Sequence, residues 1–274
     1  MKPARKPGVA TCPKPRRVIV LLETSLGVSR DILKGIIRYS REHEPWILEL
    51  TSGGIGDLYL PQGWRGDGII SRSLTTKAMD ALLAHPSPKV LMDVPASVFR
   101  RGTNAPLVRF ESDYLETGRE AADYFLARGF RHFDFFCDSR STLSLSSWNS
   151  AQYAVPEWSD LRCRGFCDRL VACGHHATVV KEPASRQESE SWYIERPRVI
   201  RLLQELPKPL AVFTPNDARG RQILDACQVA GIAVPSAVAV LAVNDDKTLC
   251  ETSLPPLSSE RGTETGFRPD APST

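Results

Sequence analysis

The chain has 274 residues, of which 42% are hydrophobic and 24% charged, a composition typical of a soluble globular protein with one large domain or two lobes. The net charge of +3 is small and the basic residues concentrate before residue 18, so no basic face predicts nucleic-acid binding. No apolar stretch approaches the ~20 residues of a membrane span, and the apolar run at 18–22 is shorter than the ~7–15 residues of a secretory signal. Seven cysteines without a regular framework are typical of reduced thiols, so we expect a cytoplasmic protein without membrane contact.

Strand and helix patterns alternate along the chain. Short apolar runs predict strands at 18–22, 46–50, 68–70, 90–92, 108–110, 132–137, 178–180, 210–213 and 238–243. Apolar positions at helical spacing predict helices after an N-cap at Ser29, at 75–83, after an N-cap at Asp113 and up to Gly129, at 158–171, at 188–206 with a break at Pro197, and at 217–230.

This alternation is typical of an α/β protein built from crossover units and parallel sheets. The number of strands predicts two consecutive lobes, each a parallel sheet with helices on both faces, joined near 110–118; a single large open sheet is the alternative. The predicted divisions are a disordered leader, an N-terminal lobe, a C-terminal lobe and a disordered tail, at 1–15, 16–112, 113–259 and 260–274. The Ser-rich segment 138–156 is interpreted as a loop.

Polar side chains follow most of the predicted strands. In open parallel sheets ligands bind beyond the carboxyl ends of the strands. Asp, Asn, Arg and Ser there form paired hydrogen bonds with hydroxyl groups, so the pattern favours a polyhydroxylated small molecule. These residues are Glu23, Thr24, Ser25, Ser71, Arg72, Ser73, Asp93, Glu111, Ser112, Asp113, Asp138, Ser139, Arg140, Asn216, Asp217, Arg219, Asn244, Asp245 and Asp246. For Asp113 and Asp217, helix capping is an equally simple explanation.

Other chemistries lack their motifs. The Gly-rich segment 53–56 lacks the G-x-G-x-x-G spacing of a dinucleotide site, and no P-loop is present. Cys163 and Cys167 lie one helical turn apart but form no C-x-x-C pair, so packed helix cysteines are favoured over a metal site. No G-x-S-x-G nucleophile elbow occurs. We therefore expect no cofactor, no metal and no catalysis.

At several of these positions the chain resembles the sensor domain of XylR-type regulators. The resembling residues lie at 17–25, 30–36 with Tyr39, 64–70, Asp113 with Gly118, Ala121 and Ala122, 129–130, Arg162 with Gly165 and Phe166, 214–220, and 244–259. Such regulators join a LacI/GalR-like, type I periplasmic-binding-protein fold to a C-terminal AraC-type helix-turn-helix domain. The resemblance implies a sugar effector such as xylose and a homodimer.

The resemblance also implies which residues bind ligand. In the C-terminal lobe they are Arg162, Asp217, Asn244 and Asp245. In the N-terminal lobe they are Thr24, Ser25, Leu26, Ser71 and Arg72, with Glu111 and Asp113 at the crossover. Trp158, one turn before Arg162, offers either an aromatic face to a sugar or core packing.

The chain departs from the family pattern after Ser259. Residues 260–266 do not continue it, and no helix-turn-helix precedes Arg17. We expect a sensor that stops before its fold is closed and that reaches DNA only through a domain not present in this chain. A free-standing sugar-binding protein of a transport system is the alternative function; a Rossmann-like enzyme and an inert fragment are further possibilities.

Overall fold

The computed structural model describes residues 14–52, 58–72, 76–93, 105–137, 158–180 and 192–262. The strands are β1 (Arg16–Leu22), β2 (Trp46–Ser52), β3 (Gly68–Arg72), β4 (Lys89–Met92), β5 (Leu107–Phe110), β6 (His132–Phe136), β7 (Ala177–Val180), β8 (Leu210–Phe213), β9 (Val238–Val243) and β10 (Ser258–Glu260). The helices are α1 (Gly27–Glu42), α2 (Thr76–Ala84), α3 (Tyr114–Leu126), α4 (Trp158–Ala172), α5 (Trp192–Glu205), α6 (Asp217–Val229) and α7 (Lys247–Cys250).

The strands form two separate parallel sheets. The first has the order β2-β1-β3-β4-β5 and the second the order β10-β9-β8-β6-β7. The chain passes from the first sheet to the second between β5 and β6, and α3 lies on this connection. The predicted two-lobed α/β class is confirmed, and the alternative of one large open sheet is wrong. The domain boundaries at residues 112 and 259 stay predictions.

In the first lobe, alternate side chains of β1 pack into two hydrophobic cores, one on each face of the sheet. Ile19 and Leu21 pack on one face with α2, where Met79 and Leu82 are buried. Val18, Val20 and Leu22 pack on the other face with apolar residues of α1. Burial on both faces explains why β1 reads as an uninterrupted apolar run.

In the second lobe, α3 and α4 lie on one face of the sheet and α5 and α6 on the other. The backbones of α3 and α4 touch, because each helix has a glycine at the contact. A Cβ added to Gly118 would lie 2.1 Å from the carbonyl oxygen of Arg162, and one added to Gly165 would lie 2.0 Å from that of Leu115. This contact sets the position of the first turns of α4.

Three local predictions need correction. Ser29 is not the N-cap of α1: the helix begins at Gly27 after Leu26, and Ser29 is buried within its first turn. Pro197 does not break α5, because Val199 and Leu203 beyond it are anchored in the core. Glu260 is not part of a disordered tail: it lies in β10 and its carbonyl oxygen accepts a hydrogen bond from the amide of Asn244.

Other predictions lie outside the described residues. These are most of the leader, the loop at 138–156 and the tail beyond residue 262. Within the described ranges, no helix has the length and apolar character to cross a membrane.

The glycine contact between α3 and α4 leads to a stability prediction. We expect Gly118→Ala to lower the free energy of unfolding by about 2–3 kcal/mol, because the methyl group would meet backbone atoms that cannot turn away. Gly35→Ala is the control: it lies in α1 with nothing within 4 Å of its Cβ, and should be neutral or stabilising. Urea denaturation measures both, and a Gly118→Ala protein as stable as the wild type would contradict the close packing.

Candidate functional site

Four polar side chains meet where β1, β3 and β4 end. Arg72 donates from Nε to Oδ2 of Asp93 at 2.7 Å and from Nη1 to Oε2 of Glu23 at 3.4 Å. Tyr114, the first residue of α3, donates its hydroxyl to Oδ1 of Asp93 at 2.6 Å. We call Glu23, Arg72, Asp93 and Tyr114 the arginine–carboxylate cluster; it joins the end of the first sheet to a helix of the second lobe.

The cluster holds its two carboxylates in different states. Burial raises the pKa of Glu23 to about 7, because Arg72 offsets only part of the desolvation and Asp93 adds repulsion. Burial also opposes ionisation of Asp93, but the charge of Arg72 and the hydroxyl of Tyr114 keep its pKa below the usual range. Asp93 is therefore ionised at neutral pH, whereas Glu23 gains or loses its proton in that range.

Arg162 lies beside this cluster as a buried cation. Its side chain is 6% exposed and its Nη1 donates to the carbonyl oxygen of Pro215, while its buried Nε has no hydrogen-bond partner. The rings of Tyr114 and Trp158 lie 5.3 and 5.1 Å from its guanidinium carbon. Burial lowers the pKa of Arg162 to about 10, which shows that the attraction of Asp93 and Glu260 only partly offsets its desolvation.

A second polar group lies where β8, β9 and β10 end. Asp217 accepts the amide of Asp246 at 2.8 Å through Oδ2 and the hydroxyl of Ser259 through Oδ1. Burial raises the pKa of Asp217 to about 6 against these hydrogen bonds. Capping does not explain Asp217, because the N-cap of α6 is Asn216, whose side chain accepts the amide of Arg219.

The loop after β9 has an unusual backbone conformation and partly buried polar side chains. Asn244 and Asp245 have φ angles of 110° and 49°, in the region that L residues rarely adopt. The carboxylate of Asp245 accepts from Lys247 and from Arg261, both at 3.2 Å. The charge of Asp245 adds to the effect of burial on the pKa of Asp217, and strained backbone at a loop is often found at binding sites. The role of Asn244 and Asp245 in ligand binding stays a prediction.

Two further buried polar atoms at these strand ends have no hydrogen-bond partner. They are Oγ of Ser71, at the end of β3, and Oε1 of Glu260, at the end of β10. Burial raises the pKa of Glu260 to about 7, with repulsion from Glu120 adding to the effect and Arg162 opposing it. Buried polar atoms left unpaired are costly, so these atoms and Nε of Arg162 are candidates for contact with a ligand.

The remaining predicted site residues have other roles in this structure. The carbonyl oxygens of Thr24 and Ser25 accept hydrogen bonds from Arg30, and Leu26 caps α1 through its backbone. Glu111 is exposed and pairs with a neighbouring strand residue, Arg109. Asp113 caps α3 by accepting the amide of Glu116 at 2.9 Å.

Glu23 and Asp93 are among the polar residues predicted at the strand ends but not among those that the resemblance assigns to the ligand, and Tyr114 and Glu260 are in neither set. Glu23 and Asp93 had a detectable signal, since each directly follows a predicted strand. The location of Glu260 depends on a strand that no apolar pattern marks. Among the residues that the structure describes, no group of three or more His, Cys, Asp and Glu side chains could hold a metal ion.

The raised pKa of Glu23 predicts a pH dependence of stability. The folded chain binds the proton more tightly than the unfolded chain, so ionisation of Glu23 removes stability as pH rises from about 4.5 to about 7. The Glu23→Gln variant lacks this loss. Its stability relative to the wild type should therefore increase between pH 5 and pH 8, by up to about 3 kcal/mol. Urea denaturation at both pH values measures the difference, and an equal difference at both would contradict a raised pKa.

The chain matches a known protein family and several known proteins. Residues 122–270, more than half of the chain, match the family of periplasmic binding protein-like domains. The chain is 22% identical over 252 residues to the xylose operon regulatory protein of Escherichia coli K12, which covers 90% of this chain and 59% of that protein. It is 30% identical over 113 residues to the Haemophilus influenzae protein of the same name, 40% of this chain and 29% of that protein. The chain thus spans less than two thirds of these relatives.

Solved structures share the fold. The structure of the xylose-binding transcription activator xylR has a TM-score of 0.64 and 22% identity, and the match covers 85% of this chain and 55% of that one. A periplasmic binding protein/LacI transcriptional regulator from Alkaliphilus metalliredigens, complexed with D-xylulofuranose, has a TM-score of 0.57 and 15% identity, covering 89% and 82%. The predicted resemblance to XylR-type and LacI-like sensors is confirmed, and the chain belongs to the family of periplasmic binding protein-like domains.

Proposed function

We propose that this chain is the sugar-sensing domain of a transcription regulator and binds a neutral pentose such as xylose between the carboxyl ends of its two sheets. The observation that carries the proposal is the state of Arg162. Its guanidinium is buried, its Nε has no partner, and two aromatic rings flank it. A sugar hydroxyl or ring oxygen at Nε would satisfy this donor.

The charges around Arg162 favour a neutral ligand. The acidic side chains Glu23, Asp93, Asp217 and Glu260 lie at the strand ends. Arg72 and Arg162 offset the charges of Glu23, Asp93 and Glu260. A carboxylate or phosphate would meet this acidic excess, whereas a polyol donates its hydroxyl protons to carboxylates and accepts from guanidinium groups. Asn244, Asp245 and Ser71 provide further hydrogen-bonding groups, and Trp158 an aromatic ring at the same end.

The relatives support the choice of sugar. Two are named as xylose operon regulatory proteins, one solved relative is described as xylose-binding, and another was solved with D-xylulofuranose. Transferred to this chain, these names favour a pentose and a regulatory rather than a catalytic role.

A sugar bound to both lobes would shift the population toward the closed arrangement. We propose that a homodimer in the cytoplasm transmits this shift to DNA through a helix-turn-helix domain outside the 274 residues.

Calorimetry of the 274-residue chain against pentoses and hexoses tests the proposal. We expect at least one neutral pentose to bind at submillimolar concentration. Arg162→Lys should weaken binding by about tenfold or more, because lysine lacks the planar fork of donors. A folded wild-type chain that binds no neutral sugar at millimolar concentration would refute the function.

Arg128→Lys provides the matched control. Arg128 also lies over a tyrosine ring, with its guanidinium carbon 3.4 Å from the centroid of Tyr124, but it is exposed in the turn that follows α3. The control variant should keep the wild-type sugar affinity. An equal loss of affinity in both variants would contradict a specific role of Arg162 in binding the sugar.

A further inference from the structure

The first turn of α1 contacts the second lobe through an ion pair. Arg30 donates from Nη2 to Oδ2 of Asp246 at 3.1 Å. Its Nη1 is held by the carbonyl oxygens of Thr24 and Ser25, at 3.0 and 2.8 Å. The side chain of Asp246 is 8% exposed and that of Arg30 is 41% exposed, so the ion pair lies at the edge of the contact between the lobes.

Gly27 allows this contact. A Cβ added to Gly27 would lie 2.6 Å from both Cγ and Oδ2 of Asp246. Its φ lies outside the left-handed region, so the backbone of α1 does not itself require glycine there. The absence of a side chain therefore serves the contact with the other lobe. The amide of Asp246 is in turn fixed by Asp217.

The contact lies away from the crossover between the lobes. The chain leaves the first sheet at β5, and β3 and β4 separate β5 from β1. Three spacings of ~4.8 Å place the end of β1 about 14 Å from that of β5 along the sheet. A contact at this distance resists opening of the lobes more effectively than one beside the crossover.

We propose that Gly27, Arg30 and Asp246 form a latch that holds the two lobes closed before sugar binds, and so sets the sugar affinity. The second half of this statement rests on the proposed function. If the closed arrangement is the one that binds, the apparent dissociation constant is the intrinsic one divided by the closed fraction. Gly27, Arg30 and Asp246 are then positioning residues, which act through the geometry of the cleft.

Small-angle X-ray scattering of the sugar-free 274-residue chain tests the latch. Gly27→Ala and Asp246→Asn should each increase the radius of gyration, the first by wedging the lobes apart and the second by removing the charge that Arg30 holds. Gly35→Ala, in the same helix with open space around it, should leave the radius unchanged. Alanine favours helix over glycine, so thermal melting of Gly27→Ala should show an intact fold.

Sugar titration supplies the second measurement. In Gly27→Ala and Asp246→Asn the apparent affinity should fall by about three- to tenfold, and saturating sugar should restore the wild-type radius. An unchanged radius in both variants would overturn the latch, whether or not sugar binds. A larger radius of gyration in both variants would support the latch. If the wild type also bound no sugar, that result would refute the proposed function but not the latch.

Discussion

The burial of the Arg162 guanidinium constrains most of the candidate site. A cation that is 6% exposed must be compensated, and here the compensation is partial: a carbonyl oxygen, two aromatic rings and the field of nearby carboxylates. Its position depends on backbone packing, because the carbonyl of Arg162 touches Gly118 of α3. Gly118 and Gly165 thus fix the backbone that carries this charge, and in the proposed function the charge selects the ligand.

The carboxyl groups near Arg162 differ in their degree of ionisation at neutral pH. Glu23 and Glu260 have pKa values of about 7 and Asp217 of about 6, each raised mainly by burial. Asp93 stays ionised because Arg72 and Tyr114 bind it directly. Protonated carboxyls donate hydrogen bonds and ionised ones accept them, so the cleft can match both oxygen lone pairs and hydroxyl protons of a polyol.

Much of this architecture could be predicted from the sequence. β1 and β8 are continuous apolar runs because they are buried on both faces, and the alternation of strands and helices predicts parallel sheets. Polar residues at or shortly beyond the end of a strand, such as Arg72 and Asp217, could be located by the rule that ligands bind at carboxyl ends.

Other features could not be predicted, because they depend on contacts distant in sequence. Arg30 and Asp246 are 216 residues apart, and no local pattern links them. β10 has only three residues, two of them serine, and exists because it pairs with the edge of β9. Capping was ambiguous for the same reason: Asn216 and Asp217 are both good cap residues, and only the tertiary partners of Asp217 decide between them.

A crystal structure of the chain with D-xylose would test the account most directly. We expect the sugar between the two sheets, with one of its oxygens about 3 Å from Nε of Arg162 and with its hydroxyl groups hydrogen-bonded to carboxylates from both lobes. A sugar bound elsewhere on the protein, with Nε of Arg162 still unpartnered, would contradict it.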